Sequence, residues 1–417
     1  MAGKLRTGYA DADIVVDENS ALIHGSFGYS TASISSTETK IVASDAASSD
    51  FFGISVAAGN GRIVIGSPND DDNSALQSGS AYLFDLDGNE LVKMTASDPV
   101  QNDQFGGSVA IGNDRIVVGA PGVLSGRGAA YVFDFHGNQL FKILASDGAG
   151  ADRFGYSVAV GCERIVVGAY EDDDDGDGSG SAYIYDLNGT LINKITASDG
   201  STFASFGFSV AIGNGRIVVG ARTATIGSNN FQGAAYIFDL DGNEIKKINT
   251  TNGASYDYFG TSVAIGNGRI VVGQTEDAGP GKAYVYDLNG NLINEITASD
   301  VATQAGYGIG AEFGNSVAVN SGRIVVGSWR YSIDPTTNFR SGAIYVYDLD
   351  GNDEIAKITS SDASIDDRFG NSVAVGSGKI VAGAYIENPG GLADAGSAYI
   401  FDAPQTYDTY IEKILGH

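Results

Sequence analysis

Residues 105–121 read Phe105-Gly106-Gly107-Ser108-Val109-Ala110-Ile111-Gly112-Asn113-Asp114-Arg115-Ile116-Val117-Val118-Gly119-Ala120-Pro121. After a variable stretch to Gly128 come Ala129-Ala130-Tyr131-Val132-Phe133-Asp134, a short turn, and Gln139-Leu140-Phe141-Lys142-Ile143-Leu144. The chain writes this phrase seven times, with Phe-Gly pairs beginning at Phe52, Phe105, Phe154, Phe206, Phe259, Phe313 and Phe369. The pairs are 53, 49, 52, 53, 54 and 56 residues apart. A period of this length holding four short strands predicts an all-β, seven-bladed β-propeller of four-stranded antiparallel blades.

Each strand has a composition that fits a place in a blade. Ser108–Ile111 is built from small residues, which suits the innermost strand, where blades converge. Arg115–Gly119 is a continuous apolar run, as expected of a strand covered on both faces. Ala130–Asp134 alternates aromatic and apolar positions, and Gln139–Leu144 mixes in polar residues as an outer edge should. Strands one and two are joined by Asn60-Gly61, Asn113-Asp114, Asn214-Gly215 or Asn267-Gly268, the composition of a type I′ hairpin. Strands three and four are joined by Asp87-Gly88-Asn89 and its equivalents, which carry the glycine a tight turn needs. The other two connections vary in length, and both leave the blade on one face. That face is the expected binding face.

The fourth-strand phrase occurs eight times. Thr39–Asp45 precedes the first Phe-Gly, and Tyr410–Leu415 stands near the other end of the chain. Only one of them can complete the last blade. Some latch is expected, since an open ring would expose two sheet edges. Residues 1–36 fall outside the pattern and are read as an N-terminal arm, with 37–417 as the propeller. Such an arm can be a leader, can pack on the propeller, or can add strands to a partner's sheet.

Composition narrows the function classes. The formal net charge is −27, from 51 acidic and 24 basic residues, which disfavours nucleic acid and anionic membranes as partners. No run approaches the ~18 apolar residues that a membrane span needs, and the N-terminal residues lack the apolar core of a signal peptide. The expected location is a virion or the extracellular space after assembly or release, and otherwise the cytoplasm. Cys162 is the single cysteine and stands in a turn, where four of the other repeats carry asparagine. His24, His136 and His417 are scattered, and no nucleophile, zinc or phosphate-loop pattern is present. An enzyme is therefore not expected.

The Phe-Gly pairs, together with Gly119-Ala120-Pro121 and the related triplets Gly66-Ser67-Pro68 and Gly168-Ala169-Tyr170, resemble the FG-GAP repeat family, known from the propeller heads of integrin α chains. The resemblance spans about residues 39–417 and implies a binding propeller. It does not carry over the family's Asp-rich calcium loop between strands one and two, because a two-residue turn stands there in most repeats.

Two places on the variable face remain as candidate sites. Asp70, Asp71 and Asp72 lie in one acid-rich loop, and Asp172, Asp173, Asp174, Asp175 and Asp177 lie in another. Hard cations take six to eight oxygens, so either loop can be read as a Ca2+ site or as a solvated acidic loop. The loop of blade six holds the single tryptophan, Trp329, with Arg330, Tyr331, Phe339 and Arg340, and the preceding connection adds Tyr307. Aromatic rings beside arginines suit a protein hot spot or sugar stacking. The expected function is a non-catalytic platform, a structural or attachment part of a larger assembly such as a phage virion or tail protein meeting a host surface. The alternative is a free-standing adhesin or lectin that binds cell-surface glycans through the variable loops.

Overall fold

The computed structural model describes residues 38–71, 75–276, 279–300, 311–332 and 340–403. All of them belong to one compact unit, Ser36–His417. They form seven four-stranded antiparallel sheets. Blade one consists of Ser55–Gly59, Arg62–Ser67, Ser80–Phe84 and Glu90–Met94, paired in that order. The first strands of successive blades touch one another, and Ser372–Gly376 of blade seven meets Ser55–Gly59, which closes the ring. The fourth strand of blade seven is Thr39–Ile41, paired with Ser397–Asp402 in the register Lys40↔Tyr399. The N-terminal copy of the outer strand is therefore the latch, while Tyr410–Leu415 and residues 1–37 lie outside the described residues. No helix among the described residues is long and apolar enough to cross a membrane.

The two halves of the Phe-Gly pair do different work. Phe105 is fully buried and meets Tyr131 and Phe133 of its own blade edge-on, with ring centroids 5.3 and 5.8 Å apart. Gly106 forms the seam with the blade before. It has φ +94°, and its carbonyl lies so close to Gly66 that a Cβ there would sit 1.9 Å from the oxygen. The Ser55 hydroxyl donates to the same carbonyl at 2.8 Å. The glycine opening each Gly-Ala-Pro-type triplet is thus the landing place for the next blade's Phe-Gly. The seam recurs around the ring, and Ser372 donating to Gly53 at 2.7 Å closes it.

The repeated aspartate and arginine are structural. Asp85 Oδ1 accepts the N–H groups of Asp87 and Asn89 at 3.0 and 2.9 Å, and Oδ2 accepts the Asn89 side-chain amide at 2.8 Å. The same brace holds the turns after Asp134, Asp239 and Asp287. Arg62 Nη1 donates to the Gly61 carbonyl at 3.0 Å, as its equivalents do elsewhere. Cys162 has φ 48° in its hairpin turn and a free thiol.

The seam makes a direct prediction. Gly66→Ala places a methyl against backbone and is expected to cost about 3 kcal/mol of folding stability. Gly61→Ala, at φ +70° but with nothing within 4 Å of the added Cβ, is expected to cost about 1 kcal/mol. Denaturant unfolding of the two variants checks the order.

Candidate functional site

One polar device is built into six blades. The tyrosine of strand three lies directly across from a lysine of strand four, as in Tyr131↔Lys142. The lysine ammonium sits over the tyrosine ring, 4.9–5.7 Å from its centroid. Both groups bond one aspartate of the incoming connection: the tyrosine hydroxyl donates at 2.7–3.0 Å and the ammonium lies 2.5–2.8 Å away. The triads are Tyr82–Asp45–Lys93, Tyr131–Asp98–Lys142, Tyr183–Asp147–Lys194, Tyr236–Asp199–Lys247, Tyr345–Asp300–Lys357 and Tyr399–Asp362–Lys40. Each ties an inter-blade connection to the blade it enters.

The acid-rich loops feed these triads. Asp70 is buried, lies 2.6 Å from Lys93 and accepts the Ser80 hydroxyl. Asp172 is buried, lies 3.1 Å from Lys194, and accepts the Tyr183 and Ser181 hydroxyls at 2.9 and 3.1 Å. Asp174 also pairs with Lys194. Asp71 accepts the Gln77 N–H at 2.7 Å and Asp173 the Gly178 N–H at 2.8 Å, so both shape their own loops. Asp175 and Asp177 follow in the same loop as Asp173, and Asp72 lies outside the described residues. Among the described residues, no three His, Cys, Asp or Glu side chains are grouped to hold a metal ion.

Blade six brings Trp329 and Arg330 together. The Trp329 indole donates to Glu312 at 2.9 Å, and Arg330 pairs with the same carboxylate at 2.7 Å. The guanidinium carbons of Arg330 and Arg368 lie 4.5 and 4.7 Å from the indole ring. Arg368 also bonds the Tyr385 hydroxyl, and Tyr385 meets Phe51 edge-on with centroids 5.5 Å apart. The cluster thus draws on blades six, seven and one. Tyr331 plays another part: it is buried, and the Lys357 ammonium stands 3.6 Å from its ring centroid. It takes the position that Asp70 and Asp172 hold in blades one and three. Arg340 is half-buried, and Tyr307 and Phe339 lie outside the described residues.

A second cluster of the same kind occupies blades three to five. Tyr156 lies 4.4 Å from Tyr170 and 5.1 Å from Phe208, and the Arg222 guanidinium lies 5.0 Å from the Phe208 ring and 4.6 Å from that of Tyr258. The sequence reading did not collect Arg368, Tyr385, Arg222 or these rings. A signal was present: they stand in the variable positions that flank Phe-Gly or close the Gly-Ala-Pro-type triplet. Together the clusters form a half-buried rim of rings and guanidinium groups on the variable face. Among the described residues the buried Nε atoms of Arg222, Arg330 and Arg368 have no hydrogen-bond partner, as is also true of the turn arginines Arg62, Arg115, Arg164, Arg216 and Arg323.

A model of the FG-GAP repeat matches residues 36–84, 89–133, 138–185, 190–238, 243–286 and 353–401. The matched stretches leave out 287–352, which carries Trp329. No curated protein matches the chain.

The carboxylates divide into two titration classes. Burial alone would raise Asp98, but the bonds from Lys142 and Tyr131 hold it below its ordinary value, and the other five triad aspartates follow suit. Their stabilisation is present above the unfolded aspartate value of about 3.9 and is lost as pH falls through the lower folded values. Asp50 and Asp367 behave oppositely: burial first, then neighbouring carboxylates, pushes each up to about 6. Their stabilisation is complete below about pH 4 and lost as pH rises through about 6. The unfolding midpoint is therefore expected to fall between about pH 4 and pH 6 and to level off above that. Asp50→Asn and Asp367→Asn are each expected to flatten that fall, as thermal denaturation across the range would show.

Proposed function

We propose, for a chain that belongs to the FG-GAP repeat family, a role as a non-catalytic attachment platform within a larger assembly. The variable-face rim is the contact surface. The observation that carries this reading is the Trp329 cluster, in which three blades contribute rings and guanidinium groups to one patch. Seven seams fix the blades against one another, so the patch is preorganised and little ordering is required on binding. Aromatic and arginine side chains dominate protein hot spots. On a chain of net charge −27, an arginine-bearing patch marks where an acidic partner surface can approach.

On this reading the chain works on a virion or outside a cell, as a phage or comparable particle component meeting a host surface. Support comes from the interaction role of propellers and from the arm read at residues 1–36.

The test uses full-length chain carrying a fluorescent label and intact particles or cells of its source. Trp329→Ala and Arg368→Ala are each expected to lower retention about tenfold, the size of a hot-spot contact near 1.4 kcal/mol. His136→Ala, in a turn on the opposite face, is expected to change nothing. Equal retention by all three variants, with unfolding midpoints unaltered, would overturn the assignment.

A further inference from the structure

Blade five lacks the triad that the other six blades share. Its strand-three tyrosine, Tyr284, lies across from Glu295 where the others face lysine. The incoming connection supplies Asn252 where the others supply aspartate. Lys282 stands where the other blades carry serine or alanine, and reaches Glu295 at 2.9 Å. The lysine that elsewhere covers the tyrosine is gone, and a cleft of about 670 Å³ opens between the outer strands of blades four and five. That volume is in the range of small-molecule sites.

The cleft is lined by side chains that want partners. Gln274 is 2% exposed; its Nε2 donates to Glu276 at 2.6 Å, while its Oε1 has no partner among the described residues. Tyr284 is 5% exposed, and its hydroxyl makes none of the bonds that its six counterparts make. A buried polar atom without a hydrogen bond is costly, so Gln274 Oε1 in the wall, together with the Tyr284 hydroxyl that lines the same cleft, points to a ligand that supplies the missing bonds. Glu276 and Asp257 also line the cleft without a salt bridge to a cation among the described residues, and burial raises both carboxyls above their ordinary values.

The wall therefore offers acceptors at Gln274, Glu276 and Asp257, a donor at Lys282, and groups that both give and take at Tyr284 and Asn252. An anion would meet three carboxylates. A cation would meet Lys282 and leave its donors unused. A neutral ligand in which every hydroxyl both donates and accepts satisfies the whole set. We propose that the cleft between blades four and five, walled by Gln274, Glu276, Lys282, Tyr284 and Asn252, binds a neutral saccharide unit. The site shares no residue with the variable-face rim and stands or falls separately from it.

Saturation-transfer NMR on the full chain tests the proposal, with glucose, galactose, mannose and N-acetylglucosamine as probes at millimolar concentration and n-butylamine as the cationic comparison. At least one sugar is expected to receive transfer. Tyr284→Phe removes one hydroxyl and is expected to weaken that binding about tenfold. The combination Asn252→Asp, Lys282→Ala and Glu295→Lys rebuilds the triad of blade four and refills the cleft. It is expected to abolish transfer while keeping or raising the unfolding midpoint. Transfer to none of the sugars, transfer to n-butylamine alone, or undiminished binding by Tyr284→Phe or by the rebuilt blade would each overturn the site.

Discussion

The contact between Gly106 and Gly66 sets the terms for everything else in this ring. Two backbones meet with no room for a Cβ on either side, and the Ser55 hydroxyl pins the carbonyl between them. Such a hydrogen bond contributes about 1 kcal/mol by itself. Its larger effect is geometric: seven copies fix the spacing of every blade to its neighbour, through to Ser372 and Gly53. The seam cannot tolerate a side chain, so Phe-Gly and the triplet glycine recur in every blade. Variation is displaced to the residues beside them. Those are the positions that hold Trp329, Arg368, Tyr385, Arg222 and Tyr258.

The lysine triads form a second layer of the same logic. A chain with 51 acidic residues must keep its carboxylates from repelling one another where blades meet. Six lysines are each held between a tyrosine ring and an aspartate. Asp70 and Asp172 add further carboxylates to two of them, so some of the most acidic loops are neutralised from within the fold. Because the ion pairs are partly exposed, each adds little to stability alone. Their value lies in fixing the connection to the blade. Where blade five lacks the device, a cleft takes its place.

Much of the architecture could be read from the repeat. The sevenfold phrase gave the blade count, and Asn60-Gly61 and Asn214-Gly215 marked hairpins whose asparagines do have positive φ. What could not be read was anything decided between repeats. The two outer-strand copies at Thr39 and Tyr410 carry the same pattern, and only the pairing of Lys40 with Tyr399 distinguishes them. Counting acids in a loop does not disclose that Lys93 or Lys194 reaches in from a distant strand. Trp329 and Arg330 stood out by composition, whereas Arg368 and Phe51 reach the cluster from other blades. Tyr331 shares their loop but is turned inward beneath Lys357. Gln274 and Tyr284 look ordinary until set beside their six counterparts.

If the seams hold the ring as one unit, the rim and the cleft are displayed on a single rigid body. Open repeat arrays unfold piecewise, because each repeat touches only its neighbours. A closed ring has no free end from which to begin. Native-state hydrogen exchange at the seam amides of Gly53, Gly106, Gly155, Gly207, Gly260, Gly314 and Gly370 decides the matter most directly. The account predicts one common opening free energy, equal to that of global unfolding, at all seven. A graded series, or a group of blades that opens well below the rest, would contradict it.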